Sequence, residues 1–279
     1  LAEAITAAAL AAPRSVAHAR TRDADMGEPV VLRRRNGASV YSTHGTELFT
    51  SDAMLAAERR IIAAAQRRDG RRVPVREVDM ALLRQAAVAT KLNAGQEALV
   101  RDMSSCGARV ALALAPAGTG KTTAMAVLTR AWEASGGTVI GLAPNADAAQ
   151  ILREEIDVDA TDTVAKYVQL AQPEPRGTGH KPSPTDPAYK WFNTIGPDTL
   201  LIIDEAGKAG TFDLDTVIGH ALASGASVRL VGDDRQLASI SAGGVLRDIA
   251  AITGALPLTE VVRFTSRSEA LATLALRDG

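Results

Sequence analysis

The chain has 279 residues, enough for one or two domains with a full core. With 46% apolar residues, 23% charged residues and a net charge of −1, it is neither a disordered segment nor a protein with a global positive field for nucleic acid. The single cysteine, Cys106, excludes an internal disulfide and fits a reducing, cytoplasmic setting, and the lack of about 18 consecutive apolar residues argues against a membrane span.

Charge is distributed unevenly. Residues 1–90 hold 14 Arg against 10 acidic residues, so the front is basic and the remainder acidic. A solvated Arg-rich surface is the simplest reading of the surplus; contact with DNA is the alternative. Aromatics are only 3% of the chain, so the core must be built from Ala, Leu, Val and Ile.

The opening Leu1–Ala12 is apolar but contains Glu3 and no preceding basic stretch, which makes it an amphipathic helix rather than a signal peptide. The first residue is Leu and not Met, as expected for a piece of something longer. Val30-Val31-Leu32 and Ser39-Val40-Tyr41 flank Asn36-Gly37 and predict a β-hairpin, because both turn positions tolerate positive φ. A helix is predicted from a Ser51-Asp52 cap to about Arg68, and another over Val75–Ala89. Residues 1–88 thus form an accessory α+β subdomain.

From Leu92 the texture changes. Apolar runs at Val110–Ala115, Thr138–Ala143, Leu200–Ile203 and Val228–Val231 alternate with helical stretches at Thr122–Ser135, Asp147–Glu155 and Leu214–Ser224. Buried strands alternating with helices predict an α/β fold, a parallel sheet covered by helices on both faces. Six of the twelve prolines fall within 171–198, which predicts a loop or insertion.

Three segments carry chemistry. Ala115-Pro116-Ala117-Gly118-Thr119-Gly120-Lys121-Thr122 is placed between a strand and a helix, as a phosphate-binding P-loop requires. Polyphosphate needs many backbone N–H donors turned inward, and Gly118 and Gly120 let the chain curl that tightly. Lys121 can reach the β- and γ-phosphates of ATP, Thr122 can ligate Mg²⁺, and Thr123 follows in the first helical turn, where the helix dipole favours an anion. Second, Leu200–Ile203 delivers Asp204 and Glu205 to the carboxyl end of a strand, where open α/β sheets bind ligands. Asp204 would hold Mg²⁺ and Glu205 would orient or deprotonate water. The bland alternative is a capping Asp beside a surface Glu. Third, Val228–Val231 runs into Gly232-Asp233-Asp234-Arg235-Gln236, and Gln236 would sense the γ-phosphate.

In this order the segments resemble motifs I, II and III of the RecD-like branch of superfamily-one helicases. Leu92-Asn93-Ala94-Gly95-Gln96 is similar to that family's Q motif, which implies that Gln96 reads adenine with both amide ends. Pro144 and Asn145, in Ala143–Ala149, and Thr163, in Thr161-Asp162-Thr163-Val164, resemble segments that contact single-stranded DNA. The family's usual Thr-Gly-Arg is Asn145-Ala146-Asp147 here. Leu258–Phe264 resembles motif IV, whose Arg, here Arg263, faces the γ-phosphate. Gly27–Leu32, Leu112–Lys121, Ile195-Gly196-Pro197 before Asp204–Gly207, and Ala242–Ile249 further resemble the helicase module of conjugative relaxases of actinobacterial type. Where that module often has Met, this chain has Lys208.

The resemblance implies a RecA-like first motor domain over 89–255, with 256–279 beginning a second motor domain of the same parent chain. It implies ATP and Mg²⁺ as cofactors, single-stranded DNA as partner and 5′–3′ movement. Lys121, Glu205, Gln236 and Arg263 would be catalytic, Gln96 and Pro116–Thr123 nucleotide-binding. His18, His44, His180 and His220 are scattered, leaving no His-rich nicking centre here. A repair helicase, a small-molecule phosphotransferase with 171–198 as lid, and a non-enzymatic nucleotide-binding module are the alternatives. Without a partner domain's arginine, a factor of about 10³–10⁵ in rate, this stretch alone should hydrolyse ATP slowly.

Overall fold

The computed structural model describes residues 16–18, 48–88, 91–116, 118–172, 189–232 and 244–258. Contacts divide the chain into two units, 1–57 and 58–279. In the first, β1 (Val16–His18) pairs antiparallel with β2 (Leu48–Thr50). The hairpin expected over 28–42 lies outside the described residues. Helix α1 (Asp52–Gln66) starts where the sequence placed its cap, with the Ser51 hydroxyl accepting from the Met54 N–H at 3.1 Å.

The second unit alternates strand and helix: α2 (Val75–Val88), α3 (Ala94–Ser105), β3 (Val110–Leu114), α4 (Lys121–Ala134), β4 (Thr138–Ala143), α5 (Ala146–Ile156), β5 (Thr161–Thr163), α6 (Val164–Ala171), α7 (Lys190–Asn193), β6 (Thr199–Ile203), α8 (Thr211–Ala223), β7 (Ser227–Gly232), α9 (Val245–Thr253) and β8 (Leu256–Pro257). Six strands form one sheet in the order β5-β4-β6-β7-β3-β8, every pairing parallel. The expected α/β fold is present.

Both faces of the sheet are covered, which is why its strands read as unbroken apolar runs. In β6, Leu200 and Ile202 enter one core with Leu99 and Met103 of α3, Leu128 and Trp132 of α4 and Leu152 of α5. Leu201 and Ile203 enter the other, with Ile61 of α1, Tyr167 of α6, Val217 and Ile218 of α8 and Ile249 of α9. The second unit therefore begins earlier than the boundary read at residue 88. Ile61, Val78 and Ala81 are core residues packed against the six-stranded sheet, and Arg60 of α1 forks onto Asp215 of α8 with Nη2 to Oδ2 at 2.6 Å. The sequence boundary followed the change in texture, which tracks strands and not the helices that cover them.

The short helix α7 lies in the stretch read as a loop, whose residues 173–188 are outside the described set. Its Trp191 and Phe192 gather around Tyr167, and the Phe192 ring stacks on His220 at 4.7 Å between centroids. The Tyr167 hydroxyl meets His220 Nδ1 at 2.9 Å, and burial pushes this imidazole below its ordinary value, towards the neutral form.

Two polar devices fix α3. At its start is a capping box: Asn93 Oδ1 accepts from the Gln96 N–H at 2.8 Å, and Gln96 Oε1 accepts from the Asn93 N–H at 3.0 Å. At its end, fully buried Arg229 of β7 donates from Nε to the Met103 carbonyl at 2.8 Å and from Nη1 to the Ala108 carbonyl at 3.0 Å. Burial lowers the pKa of this guanidinium, and its neighbour Trp132 offers a ring face at 5.8 Å.

In the turn from α4 to β4, Gly137 has no room for a side chain. A Cβ on Gly137 would stand 2.4 Å from Trp132 Cδ1 and 2.8 Å from the Asp198 carbonyl, which already accepts from Trp132 Nε1 at 2.8 Å. Gly137→Ala is expected to lower the unfolding free energy by about 1–3 kcal/mol, measured by equilibrium urea denaturation; an unchanged midpoint would contradict this packing. For Gln96 the order of variants is the test. Gln96→Glu keeps the acceptor for Asn93 but sets a buried carboxylate oxygen against the Thr119 carbonyl, which the amide donor reaches at 2.9 Å, and is expected to cost about 3 kcal/mol or more. Gln96→Ala loses both bonds and is expected to cost about 2 kcal/mol in the same titration.

Candidate nucleotide and phosphate site

β3, β4, β5 and β6 all end at one edge of the sheet, and the candidate residues follow them. After β3 the chain leaves as a tight turn. The Ala115 N–H donates to the Gly232 carbonyl at 2.8 Å, tying this turn to the end of β7. Thr119 is fully buried and its hydroxyl donates to the Pro116 carbonyl at 2.8 Å. Gly118 and Gly120 stand at φ 82° and 69°, a region open to glycine at no steric cost. Lys121 then begins α4 directly, with Thr122 half-buried and Thr123 exposed in its first turn. Ala117 lies outside the described residues.

The turn is also held from the side. Gln96 Nε2 donates to the Thr119 carbonyl, with Gly120's carbonyl further off at 3.4 Å. Gln96 is thus buried with both amide ends in use, one on its own helix cap and one on the phosphate turn. Reading adenine with both ends, as the resemblance implies, would require both bonds to be given up. The signal for the cap was in the sequence, since Asn-x-x-Gln before an apolar helix is a capping pattern. The grip on Thr119 was not, because it joins residues 23 apart through the fold.

Facing the turn is the end of β6. Asp204 Oδ1 accepts from Lys121 Nζ at 2.9 Å and from the Glu205 N–H at 2.8 Å. Both side chains of the Lys121–Asp204 pair are mostly buried. Glu205 stands at φ 49°, one of two non-glycine residues in the left-handed region among those described. Such strain persists where the surroundings over-determine a conformation. A short 3-10 turn (Ala206–Lys208) follows, and Lys208 Nζ returns to Glu205 Oε2 at 2.9 Å. Sequence reasoning missed this contact and singled out Lys208 only as a departure from pattern.

Along the same edge, Asn145 caps α5, its Oδ1 accepting from the Ala148 N–H at 2.8 Å, and Thr163 caps α6, its Oγ1 accepting from the Lys166 N–H at 3.1 Å. Pro144 is half-buried beside Asn145. The structure therefore gathers Gln96, Pro116, Gly118–Thr123, Pro144, Asn145, Thr163, Asp204 and Glu205 at one edge. Gln236 and Arg263 lie outside the described residues.

Among the described residues no group of three or more His, Cys, Asp or Glu stands together as a metal site, and no helix is long and apolar enough to cross a membrane. Asp204 offers a carboxylate, and Thr122, the residue after its partner Lys121, offers a hydroxyl; both are hard oxygen donors. That sparse set suits Mg²⁺, which keeps waters and phosphate oxygens for its remaining positions.

The chain is similar to several known proteins. Conjugal transfer protein TraA of Rhizobium radiobacter is 29% identical over 239 residues, covering 84% of this chain and 20% of that protein. Probable conjugal transfer protein TraA of Sinorhizobium fredii (strain NBRC 101917 / NGR234) is 32% identical over 155 residues, covering 56% of this chain and 12% of that protein. The chain thus spans a fifth or less of the length of these curated relatives. Among solved structures, Pif1 helicase from Candida albicans has a TM-score of 0.48 at 19% identity, over 67% of this chain and 44% of that one. Bacteroides sp Pif1 in complex with ADP-AlF4 has a TM-score of 0.43 at 21% identity, over 66% and 45%. The sequence model of the AAA domain family matches residues 91–279, more than half of the chain, and the chain belongs to that family.

Proposed function

We propose that this chain is the ATP-hydrolysing first motor domain of a DNA helicase, and that the helicase is the motor of a conjugative relaxase. The observation that carries the reading is the 2.9 Å contact between Lys121 Nζ and Asp204 Oδ1, which aligns a phosphate-binding turn with a carboxylate pair. The TraA relatives are named for conjugal transfer, and this chain would supply their kind of motor.

ATP entering the turn competes for Lys121. Its β- and γ-phosphates take the ammonium, and backbone donors of Gly118, Thr119 and Gly120 take the remaining oxygens. Pro116, Ala117 and Thr123 complete the lining, and Gln96 keeps the turn in shape. Thr122 and the freed Asp204 would hold Mg²⁺, which neutralises charge on the β- and γ-phosphates. Glu205 accepts a proton from the attacking water as its oxygen bonds to the γ-phosphorus. The bond from that phosphorus to the bridging oxygen breaks, and ADP and phosphate leave. By the helicase resemblance, Gln236 would report the presence of the γ-phosphate, and Arg263 would act on it together with a second motor domain.

Pro144, Asn145 and Thr163 place a single strand along the β4 and β5 end of the same edge. Contacts there would be mainly to phosphates, which gives little sequence preference and a strong salt dependence. Movement would run 5′–3′ by the helicase resemblance. The water-activating carboxylate favours hydrolysis over transfer to a small-molecule acceptor. Stimulation of phosphate release by single-stranded DNA separates the two.

Lys121→Ala is expected to abolish ATP binding in a fluorescent-nucleotide titration. Glu205→Gln is expected to bind ATP as the parent does while phosphate release falls by about 10²-fold or more. Undiminished turnover in either variant would overturn the site.

A further inference from the structure

Each carboxylate at the end of β6 has its own lysine. Asp204 is held by Lys121 from the phosphate turn, and Glu205 is held by Lys208 from its own backbone. The second pairing is built in. Glu205's left-handed backbone starts the 3-10 turn, the Lys208 N–H closes it on the Glu205 carbonyl at 2.8 Å, and the Lys208 ammonium is returned to Oε2. The ammonium fills the approach to Oε2, one of the carboxylate's two oxygens, so while the pair lasts water can be held only at Oε1.

The sheet order says what could remove that ammonium. Across the edge, Thr163 ends β5, Asn145 follows β4, Glu205 and Lys208 follow β6, and the phosphate turn follows β3 on the far side of β7. Lys208 therefore stands between the segments proposed to carry the single strand and the cradle proposed to carry ATP. Its side chain is 47% exposed and that of Glu205 29%. An ion pair so open to water is held weakly, and a polyanion displaces such a pair readily. The γ-phosphate of ATP is met by Lys121 from the other side, so the natural competitor for Lys208 is a DNA phosphodiester.

We infer that Lys208 is a latch on Glu205: it occupies the water-activating carboxylate until a phosphate of single-stranded DNA takes its ammonium, so that DNA binding releases ATP hydrolysis. This rests on the function proposed above. Lys208 is a positioning residue and not a catalytic one, since it acts through Glu205.

The test compares parent, Lys208→Met and Lys208→Arg in the protein at its natural length. Steady-state phosphate release is measured without DNA and with saturating oligothymidylate. Lys208→Met is expected to raise the DNA-free rate about two- to fivefold, the range an exposed ion pair can hold back. The DNA-saturated rate and the KM for ATP stay at parental values, so the stimulation ratio falls by the same factor. Lys208→Arg retains the parental ratio. An unchanged ratio in Lys208→Met, or a DNA-free rate that falls, overturns the latch while Lys121-dependent hydrolysis still stands. A raised KM for ATP in Lys208→Met also overturns it, because Lys208 would then serve the nucleotide. Absence of hydrolysis in the parent with and without DNA overturns the proposed function and the latch together.

Discussion

The placement of β7 between β3 and β6 is the constraint on which the site depends. Adjacent strands lie about 4.8 Å apart, so the strand that feeds the phosphate turn and the strand that feeds the carboxylates are roughly 10 Å apart. A lysine spans that gap and shorter side chains do not, and Lys121 closes it on Asp204. The intervening strand ends at Gly232, whose carbonyl receives the Ala115 N–H and so ties the end of β7 to the turn after β3. A Cβ there would rest in ordinary contact with the Gly207 N at 3.4 Å and Leu246 Cδ1 at 3.5 Å, so the site is closely but not exclusively packed for glycine.

The edge is arranged as matched charges rather than a surplus of either sign. Lys121 with Asp204 and Lys208 with Glu205 leave little net field at the centre of the site. The two pairs differ in burial, and that difference divides their tasks. On the function proposed, the mostly buried pair would fix geometry and yield to a polyphosphate with many donors around it. The exposed pair contributes little to stability and can respond to what approaches from solvent.

The strands that carry the site were legible because they are apolar on both faces. Thr138–Ala143 was read to the residue, and β3, β6 and β7 to within one residue at each end. β5 escaped because Thr161-Asp162-Thr163 is polar and three residues long, identified as strand only by its pairing with Gly141–Ala143. α6 and α7 escaped with it, since proline density beyond Ala171 masked the helices on either side. The residue types of the site could be read from their spacing. Their hydrogen bonds could not, because Gln96 to Thr119 and Lys121 to Asp204 are made by tertiary approach.

Helix α3 is anchored at both ends to one pair of neighbouring strands, at different heights along them. Its first turn grips the phosphate turn through Gln96, and its last turn is clamped through the Met103 carbonyl by Arg229, buried within β7. Twelve residues of helix make a rod about 18 Å long. On the function proposed, a displacement of the phosphate turn would be passed along this rod to β7, because bending the helix would break the bonds of a buried guanidinium. α3 would then be the connecting rod: the part that carries load without itself changing shape.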